Sequence, residues 1–374
     1  MAQAQQESQS FVEQLLDWFT STLGRILIAL VVPVVTFVIM WRGFIFLREG
    51  NAPQLVIALT AIIWGVGGVA LIYFVTNWLI EQLPPRWMSR LQPFLFIGPA
   101  VLILAWYLAI PTFRTFLISL QGRVSEEWVG LSNYVAVFTE RNMTIAFRNN
   151  LLWIAFGATL SVVFGLLVAV LADRSRFEKF AKSMIFLPMA ISMVGAGVIW
   201  NFIYEVKEAG SAQIGLLNAI WVGLFGGDPQ AWTAMLQPWN NLFLIIILIW
   251  MQTGYAMVIF SAAIKGIPNE LLEAARVDGA TEVQIFFRIM IPYIMGTIIT
   301  VATTIVIFTL KIFDIVMVMT GGQFGTHVIA TQFYRQAFTN QNKGYAAAIA
   351  IVLVILVIPV MVYNLRQFAE EEAF

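Results

Sequence analysis

Glu273, Ala274 and Ala275, followed four positions later by Gly279, lie in a short polar stretch between two long apolar ones. Those residue types suit attachment rather than reaction. A carboxylate anchors by charge-assisted hydrogen bonds. Two alanines let another surface come close, and a glycine turns the chain where a side chain would clash. Pro268 suits a first helical turn and Gly279 a helix stop, so the spacing predicts a helix between them. Leu271, Leu272, Ala275 and Val277 are expected to line part of one face, with Glu270, Glu273, Arg276 and Asp278 on the other. A helix lying on the membrane surface would favour Lys and Arg on its polar face. This one has acids in excess, which points to a soluble partner.

A second set of residues places polar groups inside apolar stretches, where they are costly and are functional candidates by default. Gln252, Thr253 and Tyr255 lie in one stretch, and Phe308, Thr309, Lys311 and Asp314 in another. Sugar recognition needs donors and acceptors for hydroxyls and an aromatic face for the C–H surface of the ring. Gln252, Tyr255, Phe308 and Thr309 supply both. The competing reading is hydrogen bonding between packed helices, worth about 0.6–2 kcal/mol per contact; the two stand level for Gln252 and Tyr255. Lys311 and Asp314, three apart, are expected on one helix face, where they neutralise each other. Asn201 and Tyr204 are weaker candidates.

Several chemistries are excluded. The chain has no cysteine, so thiol catalysis and thiolate metal sites are out. Its single histidine, His327, cannot build a histidine metal cluster. The glycine-rich lysine loop that cradles nucleotide phosphates is missing, and a net charge of zero argues against nucleic acid.

These residues must be positioned by membrane-spanning helices. Sixty per cent of the 374 residues are hydrophobic and 11% are charged, about half the charge of a soluble domain. Crossing the hydrocarbon takes about 20 apolar residues, and eight stretches qualify: 25–47, 54–80, 93–120, 150–172, 181–204, 240–264, 288–318 and 344–365. With no water to satisfy the backbone there, they must be helices. Trp41, Trp78, Trp128, Trp153, Trp200 and Trp239 near their ends fit an interfacial belt. Met1–Ser21 has no basic residue with which to begin a cleavable signal. Eight spans put both termini on one side. Lys and Arg favour the cytoplasm for them, since the 173–182 connection alone holds Arg174, Arg176, Lys179 and Lys182. Residues 121–149, 205–239 and 319–343 then form outer loops and 265–287 an inner one. The organisation expected is 1–92 with two extra spans and 93–374 as a six-span core. Gly65, Gly67 and Gly68 read as close helix packing.

At this point the residues resemble a family. Glu273-Ala274-Ala275, three residues, Gly279, nine residues, then Ile289-Met290-Ile291-Pro292 resembles the signature loop of permease subunits of binding-protein-dependent ABC importers, with Ile291 where leucine is usual. Val129-Gly130-Leu131-Ser132-Asn133-Tyr134, Asn149-Asn150-Leu151, Phe313-Asp314-Ile315-Val316, Thr320-Gly321-Gly322 and Gly344-Tyr345-Ala346-Ala347-Ala348 look like carbohydrate permeases of the maltose-permease type. Gly322-Gln323-Phe324-Gly325, where that type commonly has Gly-Gly-Pro, looks most like alpha-glucoside permeases. The resemblance implies an all-α polytopic membrane protein with the type I importer fold. It implies a bacterial inner-membrane location, a second homologous permease, a dimer of ATPase subunits and an extracytoplasmic sugar-binding protein. ATP and Mg would be bound by the ATPases, with no cofactor in this chain. Glu273, Ala274, Ala275, Asp278 and Gly279 would couple to an ATPase cleft. Met251, Gln252, Tyr255, Phe308, Thr309 and Ile312 fall where the maltose-type permease contacts sugar, and Tyr255 and Phe308 keep the residue type. Two rivals remain. An ion-coupled carrier would need midplane acids, of which Asp314 is the clear one. An intramembrane enzyme would need an acid or metal site at the membrane edge, where Glu126-Glu127 is the only outer acidic pair.

Overall fold

The computed structural model describes residues 22–371, with side chains from 29 to 366; the expectation for Met1–Ser21 lies outside them. Every regular element described is helical, apart from one isolated bridge between Gln121 and Trp128. Six helices are long and apolar enough to cross a membrane, and two bent pairs bring the total to eight. The eight predicted stretches each fall on one of these.

The chain divides into two compact units, one through Pro111 and one from Thr112. In the first, α1 (Thr22–Glu49) and α2 (Gln54–Glu81) form a hairpin. Gly68 takes part in the close packing expected of it. A Cβ there would sit 2.6 Å from the Met40 methyl, whereas Gly65 and Gly67 have open space. The Trp64 indole donates to the Met40 carbonyl at 3.2 Å. The long helix α3 runs Pro85–Ser119.

In the second unit α4 (Ser132–Thr139) leads into α5 (Arg141–Asp173). This span starts nine residues before the predicted 150, inside the predicted outer loop. Its first two turns are polar but packed, with Met143, Ala146, Asn149 and Asn150 buried, so hydropathy alone understates its length. α5 packs along α9 (Trp239–Lys265). A Cβ on Gly165 would lie 2.3 Å from that of Ala256, so only glycine permits this approach. Ala158, Ala169, Met257, Phe260, Val301 and Ile305 fill the seam among α5, α9 and α12 (Met295–Leu310).

Two predicted spans are broken. The fifth, read as 181–204, is α6 (Glu178–Ala190) and α7 (Met193–Ile203) meeting at 104°. Pro188 closes a tight turn, and Ser192 starts α7 by accepting from Gly195 N–H at 3.0 Å. The seventh, read as 288–318, is α11 (Glu282–Tyr293) and α12 at 71°, followed by α13 (Asp314–Met319). α12 stops at Leu310, so Lys311 and Asp314 share no helix face, contrary to the expectation, and no ion pair joins them. The predicted loop 205–239 contains α8 (Leu216–Phe225), and 319–343 contains α14 (Ile329–Tyr334) ahead of α15 (Lys343–Glu371).

Candidate functional site

The inner segment forms the predicted helix, α10 (Asn269–Val277), entered through Pro268. It ends in a Schellman motif. Gly279 N–H donates to Arg276 O at 3.0 Å and Ala280 N–H to Ala275 O at 3.0 Å, with Gly279 at φ +81°. The left-handed backbone accounts for the glycine. The faces differ from the expected ones. Leu272 and Ala275 pack onto Ile267, Ile285, Met290 and Ile294. Leu271 is 46% exposed and Val277 87%, beside the exposed Glu270, Glu273 and Ala274. The outward surface of α10 is thus acidic and apolar together, and Asp278 and Gly279 lie at its end.

Ion pairs hold both flanks of this helix. Glu282 accepts from Arg174 at 2.6 Å and from Arg276 at 2.9 Å. On the other flank Lys265 donates to Glu178, which Lys182 also reaches at 2.6 Å. Lys182 further donates to Asp173 and Ser261, tying the end of α5, the start of α6 and the last turns of α9 together. Part of the basic 173–182 connection, through Arg174 and Lys182, is therefore engaged with the helix flanks. Its partners lie about 80 to 110 positions away, so no local signal could reveal them.

The polar residues of the sixth and seventh spans meet at a cavity of about 400 Å³. Met251, Gln252 and Tyr255 of α9 and Phe308 of α12 line it. Met189, Ile191, Ser192 and Met193 from the bend between α6 and α7 join them, with Thr304 and Ile305. Gly254 makes this possible, because a Cβ there would lie 2.5 Å from the Ile185 carbonyl oxygen. Thr309 and Ile312 do not reach the cavity. Thr309 is fully buried, its hydroxyl donating to Ile305 O at 2.7 Å. Ile312 packs with Trp153, Leu244, Ile315 and Val328. The lining from 189–193 was missed; Pro188 inside an apolar span is the signal that could have found it. Tyr204 is also turned inward, its hydroxyl donating to Phe243 O at 2.9 Å.

Above α12 the glycine-rich turn 320–328 is held by buried asparagines. Asn149 donates to Gly325 O at 2.7 Å and His327 O at 2.8 Å, and Asn240 to Phe324 O at 2.8 Å. Asn150 donates to Leu310 O at 3.1 Å and accepts from Ile329 N–H at 2.8 Å. Gly321, Gly322, Phe324 and Gly325 all have positive φ. Burial first, and the nearby Arg335 second, push the His327 imidazole below its ordinary pKa.

Six to eight apolar crossings, and in the second unit a cavity with a few polar groups beside an exposed acidic helix, define a membrane transport subunit. The sequence profile of the binding-protein-dependent transport system inner membrane component family matches residues 161–369, and the chain belongs to that family. It is similar to the osmoprotective compounds uptake permease protein GgtC of Synechocystis sp., 51% identical over 74% of this chain and 99% of the relative. The alpha-glucoside transport system permease protein AglF of Rhizobium meliloti is 46% identical over 85% of this chain and 98% of the relative. Among solved structures, a bacterial ABC transporter involved in the import of the acidic polysaccharide alginate superposes with a TM-score of 0.64 at 20% identity. That match covers 75% of this chain and 99% of the other, and it supports the type I importer fold. The protein is a multi-pass inner-membrane permease, and its relatives are transporter permease subunits.

Proposed function

We propose that the chain is one membrane-spanning subunit of an ATP-driven importer for a neutral alpha-glucoside or glucosylated compatible solute. The observation that carries the reading is the cavity of about 400 Å³. It combines the Gln252 amide, the Tyr255 and Ser192 hydroxyls and the Phe308 ring with no charged wall. Hydroxyl-rich, uncharged ligands need that mixture. Two similar relatives are named for alpha-glucosides and for osmoprotective compounds.

In this reading α10 seats in a cleft of an ATPase subunit, with Glu273 as its anchor, Ala274 at the close approach, and Asp278 and Gly279 setting the exit angle. ATP and Mg are bound by the ATPases, which pair as the two permease subunits pair, and both termini are cytoplasmic. A binding protein delivers the sugar from the outer side. Closure of the ATPases moves α10, and with it α5, α6 and α9, so the cavity opens to one side at a time. The bend at Ile191–Ser192 continues α6 directly into the cavity wall, which gives the motion a route to the ligand.

The test is co-purification from native membranes in mild detergent, followed by mass spectrometry, for the wild type and Glu273→Lys. The wild type is expected to bring down a second permease and an ATPase. Glu273→Lys is expected to reach the membrane, keep the second permease and lose uptake. Normal uptake in Glu273→Lys would overturn the docking assignment.

A further inference from the structure

A second cavity of about 400 Å³ lies among α12, α14 and α15, and it shares no lining residue with the Gln252–Tyr255–Phe308 cavity. Its walls are apolar, among them Phe333, Leu353, Val357 and Met361, and its single charged group is Lys311. Lys311 is exposed, and its ammonium has neither a hydrogen bond nor an ion pair with any described residue.

The depth of this lysine follows from helix register. Asn364 donates to Thr303 at 3.0 Å, which fixes α15 antiparallel to α12. Lys311 then lies beside Ala350–Val357, near the middle of the 24-residue crossing Lys343–Arg366. At 1.5 Å per residue, either end of that crossing is about 18 Å away. That exceeds the reach of a lysine side chain, so snorkelling to lipid phosphates is ruled out. An ammonium at that depth is satisfied by an opposite charge, a backbone carbonyl or a water-filled cavity. Among the described residues no carboxylate pairs with Lys311, and Asp314, three positions on at the start of α13, is no exception. The apolar walls offer no such group, so a carboxylate on another chain would suit the site. A substrate is a poor source, because its cavity is a separate one.

We propose that this cavity receives a helix of the second membrane subunit, and that a carboxylate on that helix pairs with Lys311 at mid-membrane. The inference rests on the two-permease reading above and adds the place and chemistry of the contact. The walls extend from Ala350 to Met361, three helical turns, which suits the side chains of a crossing helix. A lipid tail could fill the groove but could not neutralise the charge.

The experiment uses the transporter expressed with all its subunits. Lys311→Glu is expected to reduce recovery of the second permease, and uptake, at least tenfold. An acid-to-lysine change in the second permease, selected as a suppressor, is expected to restore both. A control for folding is separate. The chain has no cysteine, so Lys311→Cys gives it a single thiol. A small membrane-permeant maleimide should leave that thiol unlabelled in the assembled transporter and label it in the isolated chain. If the wild type recovers no second permease, the two-permease reading falls and this proposal with it. If the wild type recovers it and Lys311→Glu does so equally, only this proposal is overturned. Full labelling in the assembled transporter, or suppressors at Asp314 of the same chain, would overturn it as well.

Discussion

Arg174 donates to Glu282 at 2.6 Å, joining the connection after α5 to the first turn of α11, 108 positions away. The other carboxylate oxygen of Glu282 accepts from Arg276 on α10. One acid thus fastens α10 to α11 and to the connection after α5. All three side chains are about half exposed, so solvent screens the contacts and they add little stability. Their value is directional. Glu282→Gln and Arg174→Gln are each expected to leave thermal stability within about 1 kcal/mol of wild type. Sugar imported per ATP hydrolysed should fall in both. Because Glu282→Gln already removes the Arg174 contact along with the Arg276 one, the double variant should be no worse than Glu282→Gln alone. Additive losses in reconstituted vesicles would show that the two residues act separately.

The cavity separates residues that adjacency in sequence does not. Tyr255 and Thr309 were equal candidates as polar groups within spans, yet Tyr255 lines the cavity and Thr309 is buried on its own carbonyl. Tyr255→Phe removes one hydroxyl and should raise the KM for uptake about threefold to tenfold, the equivalent of one net hydrogen bond. Thr309→Val should leave KM unchanged. Reversal of that order in uptake assays would mean that the cavity is not where the sugar binds.

What the sequence made legible follows how local each signal is. α10 could be read because its start, its stop and its small residues are consecutive, and Gly279 at φ +81° answers directly to its residue type. The eight crossings could be read because hydropathy averages over a window about as long as a span. The bend at Ile191–Ser192 could not, since the apolar run continues straight through it. The broken end of α12 hid in the same way, and with it the separation of Lys311 from Asp314. The faces of α10 were assigned by pattern, but burial of Leu272 and exposure of Val277 depend on where α11 returns. The asparagine contacts to Gly325 and His327 span 176 and 178 positions, and nothing local reports them.

Those asparagines carry a stability prediction. The Asn150 amide satisfies Leu310 O at the end of α12 and Ile329 N–H at the start of α14. Asn150→Ala leaves both backbone groups buried and unpaired, at about 1–3 kcal/mol each. Asn150→Asp keeps the acceptor for Ile329 N–H, but as a carboxylate it has no donor for Leu310 O and sets a negative charge against it, so it too should destabilise. The expected outcome is a marked fall in the thermal midpoint for Asn150→Ala, measured on the detergent-purified transporter. A midpoint equal to wild type would mean that water replaces the amide.

His327 gives the chain a pH dependence. Its imidazole sits in the 320–328 turn, near Thr331 at 3.2 Å and Arg335 at 3.4 Å. Burial and the Arg335 charge both disfavour a second proton, so the folded pKa lies below the ordinary 6.5. The sign follows directly. The unfolded chain binds the proton more tightly than the folded one, so acid favours unfolding. The neutral imidazole's contribution is complete above about pH 6.5 and declines as pH falls from there toward the folded pKa. Below the folded value both states are protonated and the loss levels off. His327→Gln keeps hydrogen-bonding capacity and cannot be charged. The wild type should therefore lose thermal stability between pH 7 and pH 5 faster than His327→Gln does. Parallel curves for the two proteins would place the acid sensitivity elsewhere, and a wild type that gains stability in acid would mean that Arg335 does not face the ring in the assembled transporter.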